Sequence, residues 1–318
     1  MAVVNCEQVS IRYITGDFKD IGLKEYVVRK IKGNYRIVEF WADRNVTFTL
    51  EKGDMLGIIG TNGAGKSTLL KAISGIMTPT EGKVRVKGSI AALLELTSGF
   101  DKDLTVRENT YLRGALMGYT RAFMDEKYDE IIHFAELEEF QERPFKQLSS
   151  GMKSRLAFAI ACLVNPDIVI LDEVLSVGDG AFRQKSGAKM KEILGRGVTG
   201  MLVSHSMTQV REMCNKILWL DHGRQIAFSD DAALICDAYE QFLRSKQVPQ
   251  NQEEIMELAK KHHEYLERRR IREQKKDIER VRDLMRQIPQ SEAKETAVTF
   301  LRENCPELLR ENLENDQQ

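Results

Sequence analysis

The chain has 318 residues, 42% of them hydrophobic, and a formal net charge of -1 from 47 Lys+Arg against 48 Asp+Glu. That supplies a core for one large or two modest domains and excludes the strongly basic field of a nonspecific nucleic-acid binder. No apolar stretch approaches the roughly 18–20 residues of a membrane span.

The opening MAVVNCEQVS lacks the basic flank and apolar core of a signal peptide, so a secreted protein is not expected. Cys6, Cys162, Cys214, Cys236 and Cys305 form no C-x-x-C pair and read as free thiols in a reducing compartment.

A βαβ rhythm runs from the N-terminus to about residue 245. Apolar or β-branched runs recur at Val46–Leu50, Met55–Ile59, Lys83–Val86, Ile90–Leu94, Ile168–Leu171, Met201–Val203 and Ile217–Leu220. Helical patterns at Leu69–Ser74, Arg155–Val164 and Lys185–Leu194 separate several of them. Such alternation predicts an α/β domain with a largely parallel sheet. Residues 14–39 interrupt it early. There Leu23, Val27, Val28 and Ile31 lie at helical spacing among Lys and Arg, which predicts a short amphipathic insertion helix.

The strongest signal is GTNGAGKST, Gly60 to Thr68, placed after an apolar strand and opening a helix. Its glycines let backbone N–H groups turn inward at a helix N-terminus, where they and the helix dipole bind phosphate. Lys66 then reaches the β- and γ-phosphates, and the Ser67 hydroxyl is a ligand for Mg²⁺. Residues 106–165 follow with mostly helical pattern, which predicts a helical subdomain inserted into the α/β core.

Within it, LSSGM at 148–152 is a serine-glycine turn that opens a helix; read alone it is a helix cap. Asp167–Glu173 is a buried strand ending in two carboxylates, with Asp172 suited to the metal and Glu173 to accepting a proton from water. Met201–His205 is a strand ending in histidine, at the sheet edge where doubly wound folds bind ligands. Past Gln247 the composition changes: residues 246–318 hold 15 Lys/Arg and 16 Asp/Glu. Ile271, Ile278 and Met285 give two heptads at best, so a solvated helix or helical hairpin with a partly disordered end is expected there.

Phosphate loop at 60–68, LSSGM at 148–152, ILDE at 170–173, SVGD at 176–179 and SH at 204–205 together resemble the nucleotide-binding subunit of ATP-binding cassette (ABC) proteins. The resemblance covers about residues 1–245. It implies an α/β P-loop NTPase fold with an inserted helical subdomain, followed here by a mainly helical charged extension over 246–318.

Carried over position by position, the resemblance gives Tyr13 the adenine-stacking role, with Phe40 and Trp41 as rivals. Gly60, Asn62, Gly63, Ala64, Gly65, Lys66, Ser67 and Thr68 take the phosphate-loop role. Asp172 becomes the metal carboxylate, Glu173 the catalytic base and His205 the γ-phosphate sensor. Ser149, Gly151 and Asp179 would serve ATP held by the other subunit of a head-to-tail dimer. Glu95 stands where the family usually has a glutamine, and could still ligate Mg²⁺.

The segments EFWADRNVTF, LLELTSGFDKDLTVRENTYLRGALMGY and LSSGMKSRLAFAIA look like the bacterial ATPases that drive export of O-antigen, capsule and teichoic acid. That implies work at the cytoplasmic face of the cell membrane, through a separate integral-membrane permease that handles a polysaccharide-lipid substrate. No nucleic-acid partner is expected. The alternative is an ABC ATPase of another branch, an importer subunit or a soluble non-transport member. A P-loop kinase gives no reason for LSSGM or SVGD, and a pure binding module gives none for Lys66, Asp172, Glu173 and His205.

Overall fold

Parallel strands buried on both faces read as continuous apolar runs, and such runs build the centre of the sheet. The structure, a computed structural model, describes residues 2–15, 38–93, 99–172 and 180–287. The insertion helix expected over Leu23–Ile31 lies outside these residues, as do Glu95, Glu173, Asp179 and Cys305.

In chain order the strands are β1 (Ala2–Thr15), β2 (Val38–Glu51), β3 (Met55–Ile59), β4 (Glu81–Val86), β5 (Ile90–Ala92), β6 (Ile168–Asp172), β7 (Thr199–Val203), β8 (Lys216–Asp221) and β9 (Arg224–Ser229). They form one sheet in the order β4-β1-β2-β9-β8-β3-β7-β6-β5. The five strands β5, β6, β7, β3 and β8 pair parallel, and all residues of β3 and β7 are buried.

β2 and β9 also pair parallel, and the remaining pairs depart from the expected parallel pattern. β1 pairs antiparallel with both β2 and β4, and β9 with β8. The physical reason lies in the connections. β8 and β9 are joined by a tight hairpin, whereas parallel neighbours need a crossover. β1 also escapes a simple alternation rule because it bulges at Gln8 (φ 50°), so Val4, Cys6, Val9 and Ile11 are all buried.

Among the described residues the helices are α1 (Lys66–Ile73), α2 (Val106–Leu116), α3 (Arg121–Ala135), α4 (Ser150–Leu163), α5 (Gly180–Gly195), α6 (Met207–Met213), α7 (Ala232–Ser245) and α8 (Gln252–Gln287). Leu69, Leu70 and Ile73 of α1 pack on one face of the sheet with Val46, Phe48 and Leu50 of β2. On the other face Tyr239 and Phe242 of α7 pack on Trp219 of β8, in one core with Phe158 of α4 and Phe182 of α5.

A third core joins α2, α3 and α4 through Val106, Met124, Ile131, Leu156 and Ile160. Side chains start each of these helices. Thr105 and Glu108 form a reciprocal capping box, and Thr120 and Ser149 accept from the third residue beyond them.

The charged extension is not solvated throughout. α7 stops at Lys246, in the left-handed conformation (φ 59°), and α8 folds back on it. Ile255, Leu258, Ala259 and His262 of α8 are buried at i, i+3, i+4 and i+7, one stripe of a helix. From His263 to Asp277 every residue is exposed, as expected for a solvated helix.

Polar contacts close the docked seam. Arg211 of α6 meets Asp237 at 2.6 Å and Glu240 at 3.0 Å, and His262 Nε2 lies 3.0 Å from Glu240. His262 Nδ1 lies 2.8 Å from Arg244 Nη1, and His263 Nε2 lies 2.8 Å from Asp237. Burial lowers the His262 imidazole from its usual value, and since Arg244 can only donate, Nδ1 is the acceptor and Nε2 donates to Glu240. Asp237, Glu240 and His262 bring three ligand atoms within 4.8 Å of one another. The Arg211 guanidinium already occupies the cation position, so the cluster is a closed ion-pair network.

Ile255→Asp would bury a charge in this seam. The expected outcome is release of α8, read as protease cleavage near residue 250 that leaves the preceding α/β body intact, with the native chain resistant under the same conditions.

Candidate functional site

Adjacent strand ends define the site. β3 lies between β7 and β8, with Ile58 opposite Val203 and Ile59 opposite Trp219. On the far side of β7, Asp172 at the end of β6 also pairs with Val203. The chain leaving β3 at Gly60 and the chain leaving β7 at Ser204 therefore emerge side by side, with the end of β6 next to them.

The loop from Gly60 to α1 is shaped by close backbone approach. A Cβ on Gly60 would lie 2.3 Å from the Leu220 carbonyl oxygen. Gly65, the N-cap of α1, has φ 106°, and a Cβ there would lie 2.1 Å from Asp43 Oδ1 and 2.7 Å from the Ala42 carbonyl oxygen.

Two backbone bonds brace the loop: Ala64 N–H donates to Thr61 O at 3.1 Å, and Gly223 N–H donates to Ala64 O at 3.0 Å. Lys66 reaches back, its Nζ donating to Gly60 O at 2.7 Å and Thr61 O at 2.9 Å. No side chain caps α1, so its first N–H groups and the positive end of its dipole face the cavity above.

That cavity, about 390 Å³, is lined by Asn62, Gly63, Ala64, Gly65, Lys66, Ser67, Thr68, Tyr13, Phe40, Ala42, Val203 and His205. The structure thus brings seven of the loop residues together with Tyr13 and His205, while Gly60 lies just beneath. Tyr13 and Phe40 are cross-strand partners and share the cavity mouth, 37% and 57% exposed. Trp41 is not part of the lining; the guanidinium groups of Arg12 and Arg44 lie over its ring at 5.4 Å and 4.9 Å.

Ser149 and Gly151 do not line this cavity. Ser149 caps α4 from an exposed position, its hydroxyl accepting from Met152 N–H at 3.2 Å, and nothing crowds Gly151. The catalytic and metal roles expected of Glu173 and Glu95, and the interface role of Asp179, fall outside the described residues.

Sequence reasoning missed Asp43. It is fully buried beneath the loop, and burial pushes its carboxyl up to about 8. The thiols are remote from this chemistry. Burial raises Cys6, Cys162 and Cys214 to about 12 and Cys236 to about 11, and all four are free. Thiols held protonated in this way are weak nucleophiles.

Residues 44–176 match the family described as ABC transporter. The chain is 44% identical to the teichoic acids export ATP-binding protein TagH of Bacillus anthracis, over 70% of this chain and 39% of that protein. It is 49% identical to the O-antigen export system ATP-binding protein RfbB of Myxococcus xanthus, over 57% of this chain and 41% of that protein. It therefore spans about two fifths of the length of these two relatives.

A shorter relative, the O-antigen export system ATP-binding protein RfbB of Klebsiella pneumoniae, is 38% identical over 70% of this chain and 91% of its own length. The fold matches a solved ATP-binding subunit of an ABC transporter (TM-score 0.54, 22% identity, 80% of this chain and 99% of that chain). It also matches a dimeric ATP-binding cassette bound to ADP and Pi (TM-score 0.51, 23% identity, 71% of this chain and 97% of that chain). The phosphate loop, the sheet that carries it and a relative matched over nine tenths of its length agree: the chain belongs to the ABC transporter family.

Proposed function

We propose that this chain binds ATP with Mg²⁺ at the Gly60–Thr68 loop and hydrolyses it in a head-to-tail dimer. The dimer drives a separate membrane permease that exports a cell-surface polysaccharide or polyol phosphate polymer. One observation carries the reading: an uncapped helix N-terminus and a lysine face a cavity whose mouth holds an aromatic pair. The N–H groups of the loop bind the phosphates, and Lys66 turns from its carbonyl partners to the β- and γ-phosphates. Tyr13 stacks on the adenine.

Hard divalent cations take oxygen ligands, and the donor set of Ser67 hydroxyl with the Asp172 and Glu95 carboxylates fits Mg²⁺. The bound ion supplies positive charge to the phosphate oxygens. Glu173 accepts the proton of the attacking water, and His205 donates to a γ-phosphate oxygen. Ser149, Gly151 and Asp179 serve the nucleotide of the second copy, in keeping with the absence of Ser149 and Gly151 from the cavity of their own chain. In this reading the permease is a separate chain and the dimer works at the cytoplasmic face of the membrane; no helix among the described residues is long and apolar enough to cross a membrane.

The export reading draws on the printed functions of the TagH and RfbB relatives. Its test is complementation of cells lacking this chain. The native gene restores polymer to the cell surface and Glu173→Gln does not; restoration by Glu173→Gln sinks the reading.

With the purified chain, Glu173→Gln lowers steady ATP turnover by about 10²–10⁴-fold while ATP still binds, as expected for loss of a general base. Lys66→Ala loses binding itself. Tyr13→Ala raises the Kd for ATP by roughly three- to tenfold, the scale of one aromatic contact, and Phe40→Ala has the smaller effect. Equilibrium titration at fixed Mg²⁺ reads both, and a larger effect of Phe40→Ala transfers the stacking role to that residue.

A further inference from the structure

A carboxyl group that this scheme does not use lies directly under the phosphate loop. β2 bulges at Asn45, which has φ 53° and donates its N–H to Ser10 Oγ at 3.0 Å. Asp43, opposite Ile11 of β1, is 0% exposed, and neither of its carboxyl oxygens has a hydrogen-bond partner. Its Oδ1 faces Gly65 so closely that no side chain fits between them.

Charged groups on the surrounding elements are bonded elsewhere. Lys66 of α1 donates to Gly60 O and Thr61 O, and Arg12 of β1 pairs with Glu39 at 3.0 Å. Asp221 at the end of β8 faces Thr61 Oγ1 at 3.4 Å and His222 Nδ1 at 3.0 Å. Arg44 lies on Trp41, and Arg224 of β9 stands beside Arg44 in the register. None of them hydrogen-bonds Asp43.

A buried polar group without a partner is costly, and an apolar residue would fill the same space without that cost. A carboxyl becomes useful there if it acts as a neutral acid, which can donate a hydrogen bond where a carboxylate cannot. It faces Gly65 of the loop, and the carbonyl of the preceding residue, Ala64, accepts one bond from Gly223 N–H and has a second lone pair.

We propose that Asp43 is a positioning residue for nucleotide binding: a neutral acid that donates to the backbone of the phosphate loop when the triphosphate is seated. This rests on the reading of the loop as an ATP site. Ionised, Asp43 would place a negative charge behind the amides that bind phosphate, inside a low-dielectric core. Nucleotide and proton therefore favour each other's binding.

The sign follows from the raised carboxyl. Asp43 is protonated in the free protein below pH about 8, and affinity is lost as the pH rises through that value. The second ionisation of a phosphate group lies near pH 6, so the charge on ATP is constant above about pH 7.5.

The experiment is titration of the full chain with ATP and Mg²⁺ between about pH 7.5 and 9.5, for the native protein, Asp43→Asn and Asp43→Leu. The native Kd is expected to rise by about tenfold across that range, the limit being tenfold per pH unit. Asp43→Asn keeps a donor and cannot ionise, so it should bind like the native chain at pH 7.5 and show no alkaline loss. Asp43→Leu has no donor and should bind severalfold more weakly at every pH, also without alkaline loss.

The same alkaline loss in Asp43→Asn, or a flat native profile, overturns the proposal. Should Asp43→Asn fail to fold, Asp43→Leu decides by its own profile. A native chain that binds no ATP at pH 7.5 overturns the nucleotide reading itself, and this inference with it.

Discussion

The phosphate loop is held by backbone atoms on two sides, and the site depends on that clamp. The Leu220 carbonyl closes on Gly60 from β8, the Ala42 carbonyl closes on Gly65 from β2, and Gly223 of the β8–β9 hairpin donates to Ala64. Both glycines sit where a Cβ would meet another atom well inside van der Waals contact. A loop fixed in this way presents its N–H groups without reorganising, which is what binding a phosphate by main-chain amides requires. The outer strands have a function in this respect: β2 and β9, parallel to each other but antiparallel to β1 and β8, bring Ala42 and Gly223 to the loop, which the five central strands alone would leave uncovered.

Much of this was legible in the sequence because its causes are local. GTNGAGKST is one contiguous segment whose glycines, lysine and serine act within a few residues of each other. The runs at Met55–Ile59, Ile168–Leu171, Met201–Val203 and Ile217–Leu220 all fall inside strands, since strands covered on both faces have no polar alternation to obscure them.

What escaped the sequence depends on partners far along the chain. Asp43 reads as an ordinary polar residue of a half-exposed strand until the bulge at Asn45 turns it inward. The antiparallel strand β9 is only half-buried and gives weak periodicity. In the charged extension, the heptad pattern drew attention to Ile271, Ile278 and Met285, whereas docking uses Ile255, Leu258, Ala259 and His262. A buried histidine among lysines and glutamates gives no apolar signal. Its place on the stripe becomes visible only when Glu240 and Arg244 of α7 lie against it.

α4 belongs to two cores at once. Leu156, Ala159, Ile160 and Leu163 pack with α2 and α3, while Phe158, Ala161 and Cys162 pack against the sheet. Phe134 of α3, Phe158 of α4 and Phe182 of α5 also interlock, with ring centroids 5.6–6.2 Å apart. The helix headed by Ser149 therefore behaves mechanically as an axle fitted into two bearings. Twisting it about its own axis would break both sets of contacts, whereas tilting it together with the helical layer spares the contacts with α2 and α3 and strains those with the sheet and the aromatic seam. A force applied at the serine end is thus transmitted to a whole layer, and the three phenylalanine rings, with Lys185 bonded to the Phe134 carbonyl, are among the contacts that resist it.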